Sequence, residues 1–97
     1  MTSEELLAML KADLQLMNSL QDAYLQQLIS AAFAAITEEG IEIFKPPSSV
    51  ADGHLVEMYA AYLYRKRAED NPVMPRMLRH ALNNRKMAQV MGGGDNV

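Results

Sequence analysis

His54 and His80 are the side chains of this sequence best suited to bind a metal or pass a proton near neutral pH. They fall in different predicted helices, and no H-E-x-x-H spacing sets either beside a glutamate on one helical face. Each reads as a surface or cap residue. Asp52 and Glu57 are five apart on one predicted helix, a spacing that does not bring two carboxylates to the same face. Glu4-Glu5 and Glu38-Glu39 are adjacent pairs whose side chains diverge, and they read as solvated charge at helix ends. Gly92-Gly93-Gly94 has neither a strand before it nor a helix after it, so it is not a phosphate loop. The absence of cysteine excludes disulfides and thiolate zinc sites. The sequence therefore predicts no enzyme, no cofactor and no metal centre.

Charge is the more informative chemistry. Arg76, Arg79, Arg85 and Lys86 set four cations along about three turns of one predicted helix, enough to neutralise a few phosphates. The link before that helix contains two prolines and exceeds the tight turn of a helix-turn-helix, which argues against sequence-specific DNA readout. The chain as a whole is also acidic, with a net charge of −3 and a pI near 5.2. Residues 1–64 carry nine acidic and two basic side chains, and residues 65–86 carry seven basic and two acidic ones. One reading is a solvated basic helix beside an acidic helical pair. The sharper one is a subunit with an acidic and a basic flank, suited to head-to-tail association.

The elements that must carry these residues are helical. Thr2 caps a helix whose third residue is Glu5, and Leu6, Leu7, Leu10 and Leu14 recur at spacings of three and four until Asn18-Ser19. Leu25, Leu28, Ile29, Ala32, Phe33 and Ile36 form the stripe of a second helix ending at Gly40. Glu38 and Glu39 oppose its dipole, a local cost that a basic neighbour would relieve. Ile41, Ile43 and Phe44 are expected to pack back on the core, and Pro46-Pro47 forbids helix there. Ser49 caps a third helix carrying Leu55, Met58, Tyr59, Tyr62 and Leu63, with Ala60-Ala61 permitting close approach. Asn71-Pro72 marks a turn, and Pro75 opens a fourth helix to about Ala88, with Leu78, Ala81, Leu82 and Arg85 inward. Met58, Met74 and Met77 read as core filler, and Met87 and Met91 as filler or as an adaptable contact surface.

The fold expected is all-α: about four helices in one domain over 1–90, a Pro-containing loop between the second and third, and a flexible Gly-rich tail over 91–97. The acidic start Met1-Thr2-Ser3-Glu4-Glu5 is unlike a signal peptide, and no apolar run approaches the roughly 18 residues of a membrane span. A soluble, intracellular protein is expected.

The run Met74-Pro75-Arg76-Met77-Leu78-Arg79-His80-Ala81-Leu82-Asn83-Asn84 resembles the C-terminal helix of head–tail connector (adaptor) proteins of long-tailed bacteriophages. In that family a comparable stretch follows a tyrosine-bearing helix, here Met58 to Tyr64, after a loop of similar length. Lys11-Ala12-Asp13-Leu14 within Leu6–Leu16 is similar to the family's start. The likeness spans residues 3–90 and departs from the family over 40–54, around Pro46-Pro47. It implies a structural subunit of a closed head-to-tail ring beneath the portal protein, located in the virion and assembled in the bacterial host cytoplasm. The ring would continue the DNA channel, with non-specific DNA contact, and receive the next connector or tail-completion protein. Such proteins are also labelled DNA-packaging proteins. Arg76, Arg79, Arg85 and Lys86 are then expected at a subunit interface or facing the channel.

Overall fold

The computed structural model describes residues 1–69 and 73–95, with side chains to Met91, as four helices and, among those residues, no strand. Helix α1 is Ser3–Leu14. The Thr2 hydroxyl accepts from the Glu5 amide at 3.0 Å and the Glu5 carboxylate accepts from the Thr2 amide at 2.8 Å, which completes the expected capping box. The helix ends earlier than the expected Asn18-Ser19 break. Gln15 takes a left-handed conformation (φ 58°), and the Leu16 amide donates back to the Lys11 carbonyl. The reversal needs no glycine, so composition did not mark it.

Helix α2, Asp22–Glu38, buries Leu25, Ile29, Ala32, Phe33 and Ile36. Gly40 follows with φ 93°, the left-handed stop the sequence predicts. Leu28, expected in the core, is only half-buried at its edge. It lies on the flank of the α2 stripe, and the covering helices leave that flank partly open.

Helix α3, Val50–Lys66, begins at Ser49, whose hydroxyl accepts from the Asp52 amide at 3.1 Å. It packs against α1, α2 and α4, so it is covered over more than the single stripe expected. Val56, Ala60 and Ala61 are fully buried together with Leu55 and Tyr59, and Met58, Tyr62 and Leu63 lie at the margin. Gly53 makes room for the N-terminal residue: a Cβ there would collide with Met1 Sδ.

Helix α4, Arg76–Asp95, runs beyond the expected end near Ala88. Leu78 and Leu82 seat it on α3 and are buried. Met77, expected as filler, is 76% exposed. In the connector, Ile41 and Pro47 are buried, whereas Phe44, expected to pack back, is 75% exposed. Alternation explains this: an extended stretch turning Ile41 and Ile43 inward turns its neighbours outward. The Asn71-Pro72 turn and the last two residues of the 91–97 tail lie outside the described residues, and α4 includes the rest of that stretch.

Leu82→Ala is expected to cost about 2–5 kcal/mol in urea titration, because the site is closed on all sides. Leu28→Ala is expected to cost about 1 kcal/mol, since water already reaches that side chain. Equal losses at the two positions would show that the α2 flank is sealed.

Candidate functional site

Three of the four cations singled out above are engaged within the chain. Residues 79, 82, 86 and 89 follow one another at helical spacing, and together with 78 and 85 they form the side of α4 turned to the body. Arg79 reaches the end of α2 and donates to both oxygens of Glu39, at 3.1 and 2.7 Å. Lys86 approaches the same carboxylate at 3.4 Å. The Arg79 guanidinium is the main reason the Glu39 carboxyl titrates below its ordinary value, and Glu39 in turn raises Arg79. The acid that opposed the α2 dipole is thus neutralised by two cations of α4, the relief that the sequence requires.

Arg85 closes the other end of the connector. Its Nε and Nη2 donate to the two oxygens of Asp52 at 2.8 and 3.4 Å, and Nη2 also donates to the Glu42 carbonyl at 2.8 Å. Gln89 completes the clamp: its amide donates to the Gly40 carbonyl at 2.9 Å, and its oxygen accepts from the Glu42 amide at 2.7 Å. A side-chain amide therefore satisfies two backbone groups of the connector that follows α2. Arg76 alone is exposed and has no ion-pair partner among the described residues. The acidic and basic halves of the chain meet each other here, so Arg79, Arg85 and Lys86 hold α4 in place before they can serve a neighbouring subunit or a phosphate.

A second polar centre, not expected from the sequence, lies between α1 and α3. Glu57 is 5% exposed, and its Oε2 has no hydrogen-bond partner. Burial, and then a hydrogen bond to Asp13 and the charge of that residue, push its carboxyl up to about 8. Asp13 is held below its ordinary value, first because protonated Glu57 donates to it and further by Arg65, whose guanidinium lies 3.3 Å away. Burial, with Asp13 on α1 beside it, thus favours the protonated form of Glu57 on α3. The sequence carries a signal for this, a lone acid at position 57 inside the apolar stretch from Leu55 to Leu63. The two halves of the pair are 44 residues apart, however, and only the fold brings them together.

His54 and His80 are exposed and lie on different helices. Among the described residues no three metal-ligating side chains converge, and no helix is long and apolar enough to cross a membrane. Arg67 lies over the rings of Tyr64 and Tyr24, 4.2 and 5.1 Å from their centroids, and the Tyr64 hydroxyl donates to Gln21 at 3.2 Å. These contacts tie the end of α3 to the start of α2.

Large apolar side chains also remain exposed. Met17 and Leu20, between α1 and α2, are 96% and 86% exposed, and Met87, Val90 and Met91 form a patch on the outer side of α4. No protein-family model, curated protein or solved structure matches the chain.

Arg85→Ala is expected to cost about 1–3 kcal/mol, because it orphans Asp52 and the Glu42 carbonyl together, whereas Arg76→Ala stays within about 0.5 kcal/mol. Paired urea titrations check this, and equal effects would mean the clamp does not form. From the ordinary glutamate value of 4.5 up to about 8, the folded chain binds one proton more than the unfolded chain. Stability therefore falls as pH rises across that window. Glu57→Gln keeps a donor to Asp13 without the proton, and is expected to remove most of a fall of about 2–4 kcal/mol between about pH 5 and 8.5. An unchanged pH slope in the variant would show that Glu57 does not hold the proton.

Proposed function

We propose that this chain is a structural, non-catalytic subunit of a bacteriophage head–tail connector, acting in a ring beneath the portal. There it continues the DNA channel and receives the next connector or tail-completion protein. The observation that carries an assembly role is the exposure of large apolar side chains, among them Met17 and Leu20 at the α1–α2 junction, Met87, Val90 and Met91 at the outer end of α4, and Phe44, Val50, Val73 and Met77 elsewhere. A chain of 97 residues has little surface to leave apolar unless a partner covers it. The connector identity itself rests on the resemblance of Met74–Asn84 and the tyrosine-bearing helix before it. That run opens α4 and supplies Leu78 and Leu82, the residues that dock it on α3.

The alternative, a small DNA-binding accessory protein of packaging, draws less support. Phosphates would have to compete with Glu39 and Asp52 for three of the four cations. What remains is non-specific contact with DNA in a channel, through Arg76 and whichever pairs open.

Light scattering after size exclusion, from micromolar to near-millimolar chain, tests the reading. A closed oligomer of more than two copies is expected, only modestly weakened by salt because most cations are already paired within the chain. A discrete two-fold dimer, or a monomer at every concentration, would overturn a self-assembling ring.

A further inference from the structure

Glu57 is the one charged side chain buried among the described residues, at 5% exposure. It lies on α3 with Asp13 of α1 beside it, and its Oε2 has no partner among those residues. A neutral carboxyl is tolerated in such a place, whereas a carboxylate needs pairing. Pairing is limited here. Two charged groups act on Glu57: Asp13, which opposes ionisation, and Arg65 of its own helix, which favours it. Arg65 stands about two turns further along α3. Its side chain is 55% exposed and already holds Asp13, the carboxylate at 3.3 Å and the carbonyl at 3.5 Å. The ionisable groups that α2 and α4 bring against the body are engaged elsewhere. Asp22 pairs with Lys11, Glu39 with Arg79 and Lys86, and Arg85 with Asp52, while the Tyr24 ring lies against Tyr64.

We propose that Glu57 is a pH-sensitive latch: when it loses its proton, α1 parts from α3 while α2, α3 and α4 stay folded together. The latch goes beyond the connector reading and does not rest on it. The fold makes α1 the element that yields. It is the shortest of the four helices, and its buried side chains are Leu6 and Leu10. Helix α2 buries five side chains, and α4 is seated by Leu78, Leu82 and the clamps of Arg79 and Arg85, which do not involve Glu57. The other polar ties of α1 are peripheral. Lys11 meets Asp22 at 2.8 Å, Asp13 meets Arg65, and the Met1 ammonium donates to the Pro47 carbonyl at 3.2 Å. Residues 15–21 between α1 and α2 contain no helix and include the exposed Met17 and Leu20. That stretch lets α1 leave without unwinding α2.

The sign follows from burial. In the closed form the Glu57 carboxyl is pushed up to about 8, and once α1 has left, water returns it towards its ordinary 4.5. The open form therefore gains on the closed one as pH rises between those values, and gains no further above them. From pH 6 to pH 9 the ratio of open to closed chains rises on the order of a hundredfold. Opening uncovers Leu6 and Leu10 together with the part of the core they seal.

Amide hydrogen exchange of the full chain, read by mass spectrometry at pH 6, 7.5 and 9, tests the latch. Each rate is divided by that of the unstructured chain at the same pH. Every opening that exposes Glu57 shares one slope with pH, global unfolding included, so the level of protection decides. Amides of residues 7–14 are expected to be less protected than those of 25–36 at every pH. By pH 9 residues 7–14 should have lost most of their protection, while 25–36 and 55–64 keep roughly a hundredfold or more. In Glu57→Gln the protection of 7–14 should stay nearly constant over the same range. Equal protection of 7–14 and 25–36 at every pH overturns the latch, because α1 then opens only when the whole chain unfolds. Protection of 7–14 that does not fall with pH in the wild type, or falls as steeply in Glu57→Gln, overturns it as well. The wild-type comparison decides by itself if the variant does not fold.

Discussion

Ala60, Ala61 and Gly53 thin the side chains of α3 where it is buried, and α1, α2 and α4 each pack against that helix. A 17-residue helix covered in this way cannot be amphipathic in the usual sense, because little of its circumference faces water. The rest of the fold follows from this constraint. Helix α1 is too short to persist alone and depends on burying Leu6 and Leu10. Helix α4 attaches through two leucines and a set of polar clamps, so its position is set as much by charge as by apolar area. The same enclosure creates the Glu57 problem. A carboxyl on the buried circumference of α3 either keeps its proton or loses the contact with Asp13, and burial decides for the proton.

The segregation of charge along the chain takes on a different meaning once the helices are placed. Read linearly, an acidic front and a basic rear suggest attraction between copies. In space the two halves are already in contact, through Arg79 and Lys86 on Glu39 and Arg85 on Asp52. Such pairs are partly buried, and Arg85 also donates to the Glu42 carbonyl, so they contribute more than isolated surface pairs. Their first consequence is to fix the angle at which α4 leaves the body, and hence where its outer side points.

Much of the fold was legible because it is written in local rules. Thr2 with Glu5, Ser49 with Asp52, and Gly40 each set a boundary by chemistry confined to four or five residues. The apolar periodicity of α2 found Leu25, Ile29, Phe33 and Ile36, but periodicity reports a stripe and not its width, so Leu28 at the margin was read as core. Phe44 and Met77 fail for a related reason: apolar character says that burial is favourable, not that a partner is available. The early stop at Gln15 depended on a non-glycine residue entering the left-handed region, which composition does not mark. The polar centres were illegible because each couples residues more than thirty positions apart. The cations of α4 were recognised as a group, yet their partners could be found only after α4 was laid across the connector.

An element that folds onto its own chain by one side and keeps apolar side chains on the other faces a physical conflict. The exposed methionines are tolerable only if the free chain does not bind itself strongly at low concentration. Methionine suits that requirement, since a flexible side chain loses rotamer entropy when it is fixed in a contact. The inner clamps of α4 matter as much as its outer side does. Arg79, Arg85 and Gln89 tie the helix to Glu39, Asp52 and the connector backbone, and so fix the direction in which the exposed methionines face.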